Sequence, residues 1–197
     1  DYSAPGWYFV TICTRDRACV LGEVRHGVVH LSPIGRIVAE EWVRTCRIRP
    51  YVRLDAWVIM PNHLHGIIRI GPRADISSTP AVETPQRGVS NPKLRQSPAE
   101  TPRRGVSTMG TSGSPDSPRS PVHPRLPAGS VGAIIGQFKS ACTKRVREAG
   151  HTGFGWQPRF HDRVIRDAGE LDRIRRYIAM NPARWERDRN RPDRIRP

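Results

Sequence analysis

This chain has no apolar run long enough to cross a bilayer. The longest, WYFVTIC at 7–13 and WVIM at 57–60, fall far short of the roughly 20 residues a spanning helix needs, and no signal-peptide pattern opens the sequence. Nothing in it addresses a membrane. It also lacks any cysteine pattern: Cys13, Cys19, Cys46 and Cys142 are irregularly spaced, with no CxxC pair and no histidine in zinc-finger register. Neither a structural zinc site nor a disulfide framework is expected, and the four read as reduced cytoplasmic thiols. Acid is scarce. Over 197 residues, 18 Asp and Glu stand against 33 Lys and Arg, a formal charge of +15, and such a field attracts polyanions. The chain opens at DYSAPGWYFV without a Met, so an N-terminal segment is expected to precede it.

The last deficit is local. Residues 72–128 contain no aromatic residue but hold 11 of the 19 prolines, with Ser, Thr, Gly and Arg making up much of the rest. Such a composition cannot bury a core, and the stretch reads as a disordered insert. It repeats itself, ETPQRGVS at 83–90 returning as ETPRRGVS at 100–107, which suggests a duplicated low-complexity insertion rather than a solenoid unit. Its 8 basic and 4 acidic residues leave +11 on the remaining 140. The basic character therefore belongs to the folded part, expected as one domain built from 1–71 and 129–197.

Outside the insert, WYFVTICT (7–14), CVLGEV (19–24) and GVVHL (27–31) read as short strands, because β-branched and aromatic residues dominate them. A helix follows, with Ser32 as N-cap, Pro33 at its first position and Ile34, Ile37, Val38, Trp42 and Cys46 at helical spacing. Two strands, 53–60 and 63–70, are joined at Pro61-Asn62. After the insert, Val131, Ile134, Ile135, Phe138 and Cys142 define the buried face of a basic amphipathic helix. An extended stretch at 156–166 leads to a last helix over about 168–180, opened by Asp167 and Glu170 in capping-box spacing and stopped by Asn181-Pro182. Interleaved helices and hairpin-linked strands favour an α+β fold, a ferredoxin-like sandwich whose antiparallel sheet carries helices on one face.

Within VIMPNHLHGII (58–68), two histidines sit one residue apart in an otherwise apolar run. Strand alternation puts Leu64, Ile68 and Ile70 on one face and His63, His65, Ile67 and Arg69 on the other. Imidazoles at i and i+2 can chelate one divalent cation and leave positions open for water or phosphate oxygens. The spacing is equally that of two hydrogen-bonded sheet histidines. In the last helix Leu171, Ile174 and Ile178 form the buried stripe, with Tyr177 and Asn181 at i and i+4 on its edge and Arg173 one turn before. Taken alone, Tyr177 also suits an amphipathic ring covering the core with its hydroxyl wet, and Asn181 suits a helix end before proline.

Together, His63-x-His65 on a strand, a downstream Tyr-x-x-x-Asn helix and a basic body resemble the HUH single-strand DNA nucleases, and within them the REP-associated tyrosine transposases. GWYFVTICT, WVIMPNHLHGII, IIGQFKSACTKRV, WQPRFHDRVIRD and YIAMNP are similar to that family's successive blocks, in order, and cover nearly all of the chain except the insert. The resemblance implies that His63 and His65 bind Mg²⁺ or Mn²⁺, that Asn181 adds an amide oxygen as third ligand, and that Tyr177 is the nucleophile. It implies a single-stranded DNA substrate with a hairpin, drawn from repetitive extragenic palindromes, and a monomeric bacterial protein associated with the nucleoid. Lys139, Lys144, Arg173 and Arg176 are candidates for backbone contacts, although surface basic residues are often merely solvated. The insert departs from the family pattern and leaves substrate choice open.

Three other readings compete. A sheet-platform single-strand binder would stack bases on aromatics of its central strand, where this chain has HLHGIIRI. A replication initiator or relaxase of the same superfamily would keep the chemistry. A domesticated, inactive relative is disfavoured by the presence of His63, His65 and Tyr177.

Overall fold

Ser32 and Pro33 set the first helix as expected: the serine Oγ accepts from Gly35 N at 3.0 Å and the proline occupies the first turn, opening α1 (Pro33–Arg47). The computed structural model describes residues 4–72, 129–188 and 190–191, so residues 73–128 of the insert lie outside the described residues. The order is β1 (Gly6–Cys13), β2 (Gly22–Arg25), β3 (Val28–Leu31), α1, β4 (Val52–Ile59), β5 (His63–Ile70), α2 (Val131–Glu148), β6 (His161–Ile165) and α3 (Ala168–Met180). Short 3₁₀ turns at Arg15–Arg17 and Pro182–Arg187 complete it.

The main sheet has four antiparallel strands in the order β4-β5-β1-β6. Setting aside the β2–β3 hairpin and α3, the chain runs βαββαβ, which makes the core ferredoxin-like. His26 (φ 50°) and Gly27 (φ 73°) form the tight left-handed turn that sets the hairpin register, and β2 starts later than the sequence suggests, because Leu21 N pairs with the Pro61 carbonyl instead. Leu21, expected in a strand, is instead wholly buried in the core cluster on the α1–α2 side.

The helices do not share one face. Tyr8, Val10, Ile12, Leu64, Ile68 and Ile70 point to the side that α1 and α2 cover, with Trp42 and Phe138 at its centre. Phe9, Ile67 and Ile165 point to the other, where Leu171, Ile174 and Ile178 of α3 meet them. β1, β4 and β5 contribute apolar residues to both faces and β6 places Ile165 on the second, so a third amphipathic helix is needed to close that side. Gly66 permits the close approach on the first: a Cβ there would fall 2.5 Å from a ring carbon of Trp42.

An ion pair fixes α3 in place. β4 carries a bulge between Leu54 and Trp57, and at that bulge Asp55 receives both Nε and Nη2 of Arg175, at 2.9 and 2.7 Å. The guanidinium holds the Asp55 carboxyl below the usual carboxylate range, against the opposing effect of partial burial.

Candidate metal and nucleophile site

His63 and His65 face the α3 side of the sheet, as strand alternation requires, and both are fully buried. Their ring centroids are 4.5 Å apart. The neighbours that orient them come from β1, from the β4–β5 connection and from the segment after α3.

Thr11 lies directly opposite His65 in the β1–β5 ladder, with its hydroxyl 2.8 Å from Nδ1. Phe9 stacks on the His65 ring at 5.4 Å and meets the Tyr177 ring edge-on at 6.1 Å. These contacts direct Nε2 of His65 towards α3, where the Tyr177 hydroxyl stands 3.2 Å away. The Tyr177 residue is 37% exposed, so the phenol is accessible from outside while its ring edge is held.

Asn62 performs the corresponding task for His63. Its Nδ2 donates to the carbonyls of Arg17 (3.0 Å) and Asn190 (2.7 Å), which leaves Oδ1 as the acceptor for Nδ1–H of His63 at 2.8 Å. That network places a proton on Nδ1 and turns Nε2 away from Asn62. The Arg17 carbonyl is offered from a turn in which Asp16 and Arg17 both adopt φ of 52°, a conformation disfavoured for residues with a side chain. Arg17 also donates from Nη1 to Asn190 Oδ1 at 3.2 Å.

On the far side of His63 lies Asp188, with Oδ2 3.8 Å from Nε2 and a side chain only 6% exposed. His63, His65 and Asp188 form a group whose candidate ligand atoms all fall within 4.8 Å of one another. Two imidazole nitrogens and a carboxylate suit a divalent first-row ion or magnesium, so the residues present fit the expected cation. Asn181, the third ligand expected from sequence, is the C-cap of α3 and is 3% exposed. Its Oδ1 is buried and accepts no hydrogen bond among the described residues.

The basic candidates separate. Lys139 directs its ammonium onto the carbonyls of Gln157 (2.5 Å), Pro158 (3.2 Å) and Arg159 (3.3 Å), and burial pulls its pKa down. Lys144 is exposed on the same helix, 3.9 Å from Glu148, and α2 covers the sheet face opposite the histidines. Arg173 and Arg176 lie on α3, the helix that carries Tyr177. Arg173 lines a shallow polar depression with Asp162, Arg163, Arg166 and Asp167, and Arg176 is exposed, its Nε 3.4 Å from the Asp172 carbonyl.

Sequence reasoning missed Thr11, Phe9, Asn62 and Asp188. Asn62 adjoins the histidines in PNHLH and had a local signal; Thr11 and Phe9 required the β1–β5 register. Asp188 sits among arginines in RWERDRN, where an acidic residue reads as a solvated charge.

No protein-family profile matches the chain. A Haemophilus influenzae protein of unassigned function is 29% identical over 188 residues, spanning 95% of this chain and 86% of that protein. Among solved structures, a REP-associated tyrosine transposase bound to a REP hairpin has a similar fold, with a TM-score of 0.52 at 17% identity, over 94% of this chain and 72% of that one. No helix among the described residues is long and apolar enough to cross a membrane.

Proposed function

We propose that this chain is a metal-dependent endonuclease and strand transferase acting on single-stranded DNA beside a hairpin, of the REP-associated tyrosine transposase kind. The observation that carries the proposal is the 3.2 Å approach of the Tyr177 hydroxyl to Nε2 of His65, which joins a solvent-accessible phenol to a buried pair of imidazoles. The likeness in fold to a hairpin-bound REP-associated tyrosine transposase supports it.

A phenol, with a reference pKa of about 10, is a weak nucleophile at neutral pH, so its surroundings must activate it. A divalent cation, Mg²⁺ or Mn²⁺, held by His63 and His65 with Asn181 as a further oxygen donor, would supply charge neutralisation at the scissile phosphate. The chain's own contribution is position. Phe9 and the α3 backbone hold the Tyr177 ring, the Arg175–Asp55 pair holds α3 on the sheet, and the hydroxyl is aimed at the corner the histidines occupy. Attack forms a Tyr177 O–P bond as the P–O3′ bond breaks. The phenolic proton is lost, the leaving 3′ oxygen takes one up, and the products are a 5′-phosphotyrosine and a free 3′-hydroxyl. Because the ester keeps the energy of the phosphodiester, a second 3′-hydroxyl can reverse the reaction without ATP, which suits strand transfer.

Lys144, Arg173 and Arg176 are proposed phosphate contacts, and Lys139 is retained only if DNA draws its ammonium off the three carbonyls. The reading places the protein in the bacterial cytoplasm, at the nucleoid, as a monomer. Incubation with end-labelled hairpin oligonucleotides and Mg²⁺ or Mn²⁺, followed by a denaturing gel, tests it. A cut fragment and a protein-linked species are expected with the intact chain, and both should be absent after His63→Ala. Binding without either product would favour the non-catalytic single-strand binder instead.

A further inference from the structure

We infer that Asp188 is a direct ligand of the divalent cation, so that the ion ties the segment after α3 to the histidines of β5. This rests on the metal-site reading above and adds a carboxylate that neither the H-x-H spacing nor the family resemblance implies.

Asp188 is withdrawn from water, its side chain 6% exposed, and a buried carboxylate requires compensation. One oxygen has it: Oδ1 accepts from Asn190 N at 2.7 Å. The other, Oδ2, lies 3.8 Å from Nε2 of His63, beyond hydrogen-bond length. Asn62 uses both Nδ2 hydrogens on carbonyls, so its Oδ1 accepts from Nδ1–H of His63, and the ring is held with Nε2 turned to that carboxylate oxygen. Nε2 of His63 and the carboxylate oxygen thus face one another across a gap that a single divalent cation can span.

A cation also accounts for His65, whose ring nitrogen falls in the same group of ligand atoms, all within 4.8 Å of one another. Small side-chain shifts bring three donors at that spacing to about 2.1 Å from one ion. The carboxylate is preset by the same hub that sets the His63 tautomer, because Asn62 Nδ2 and Arg17 Nη1 both bind Asn190, two residues beyond Asp188. The rival account is an ion pair with a protonated His63, in which Asp188 has a purely structural role.

Asp188→Asn separates the two. The amide keeps Oδ1 for Asn190 N and offers an N–H to the Nε2 lone pair, so the metal-free fold is preserved while the anionic ligand is lost. Mn²⁺ is titrated into the metal-free full-length chain without DNA, by calorimetry and by the electron paramagnetic resonance of free Mn²⁺, and thermal midpoints are read with and without the ion. The expected result is a loss of about tenfold or more in Mn²⁺ affinity, comparable to that of His63→Ala, and loss of the Mn²⁺-dependent rise in midpoint, with the metal-free midpoint unchanged or higher. Mn²⁺ affinity equal to the parent's, while His63→Ala binds none, would overturn the inference and leave the nuclease reading intact. A metal-free midpoint that falls while Mn²⁺ affinity holds would overturn it in favour of the ion pair. A parent that binds no Mn²⁺ would overturn both claims about the ion. If the variants behave as expected but the parent cuts no hairpin DNA, the inference stands and the proposed function fails.

Discussion

The hydroxyl of Tyr177 lies 3.2 Å from Nε2 of His65, although the two residues are 112 positions apart and stand on different elements. β5 supplies the imidazole from a buried strand. α3 supplies the phenol from a helix laid across the same sheet face, and Phe9 touches both rings. The hydroxyl of a partly exposed tyrosine held against a buried pair of imidazoles gives each of the two groups a distinct, testable part.

Tyr177→Phe removes one oxygen and keeps the ring, so the contact with Phe9 persists and stability should change by less than about 1 kcal/mol. DNA affinity should hardly move. Cleavage should fall to background, and the covalent protein–DNA species should vanish from denaturing gels. Polarity is part of the expectation: label placed 3′ of the cut stays with the protein, and the 5′ fragment leaves with a 3′-hydroxyl that a polymerase extends. An adduct on the 5′ fragment would contradict the assignment.

Asp55→Asn should loosen α3. The Asp55 carboxyl titrates below its ordinary value because Arg175 hydrogen-bonds it, so the folded pKa is depressed relative to the unfolded. Its contribution is therefore present above the unfolded value of about 3.8 and is lost as pH falls through the folded one. With Arg175 partly exposed, a cost of about 1 kcal/mol at pH 7 is expected, shrinking towards zero as pH falls through the depressed folded value. Urea midpoints of parent and variant across that range check it. Because α3 carries Tyr177, cleavage should drop more than hairpin affinity; equal losses would deny the helix its positioning role.

Affinity for single-stranded hairpin DNA should fall steeply with salt, since the chain outside the 72–128 stretch carries +11 and each neutralised phosphate contributes a slope of roughly −0.7 in log K against log salt. Arg173→Ala and Arg176→Ala should each reduce that slope, measured by fluorescence anisotropy from low to physiological salt. An affinity nearly flat in salt would count against a phosphate-tracking surface.

Residues 72–128 are proposed to be dispensable for folding, because a stretch with no aromatic and few large apolar residues offers little to a core. Replacement by a short Gly/Ser linker should leave the thermal midpoint within a few degrees and unfolding cooperative. Loss of a single transition would show that the stretch contributes to the fold.

Local chemistry was legible in the sequence wherever one element carries its own signal. Ser32 before Pro33 and Asp167 three residues before Glu170 announce helix starts, and in the structure each cap accepts the expected backbone N–H. The alternation HLHGIIRI already places both histidines on one face, because the side-chain period of a strand is two whatever surrounds it. The i, i+4 relation of Tyr177 and Asn181 follows from the helical period in the same way. Periodicity names a face but not what covers it. That α3 lies on the histidine side, rather than beside α1 and α2, follows from the apolar residues Phe9, Ile67 and Ile165, which needed burial on a second face of the sheet. Thr11 reaches His65 only through the β1–β5 register, and Asp188 reaches His63, and Asn190 reaches Asn62, only because the chain returns across the site after α3. Such contacts depend on the summed geometry of several elements, which no short window of residues contains. The sequence by itself determined the histidine pair, the tyrosine helix and the basic charge; the tertiary structure alone decided that imidazoles, phenol and carboxylate meet.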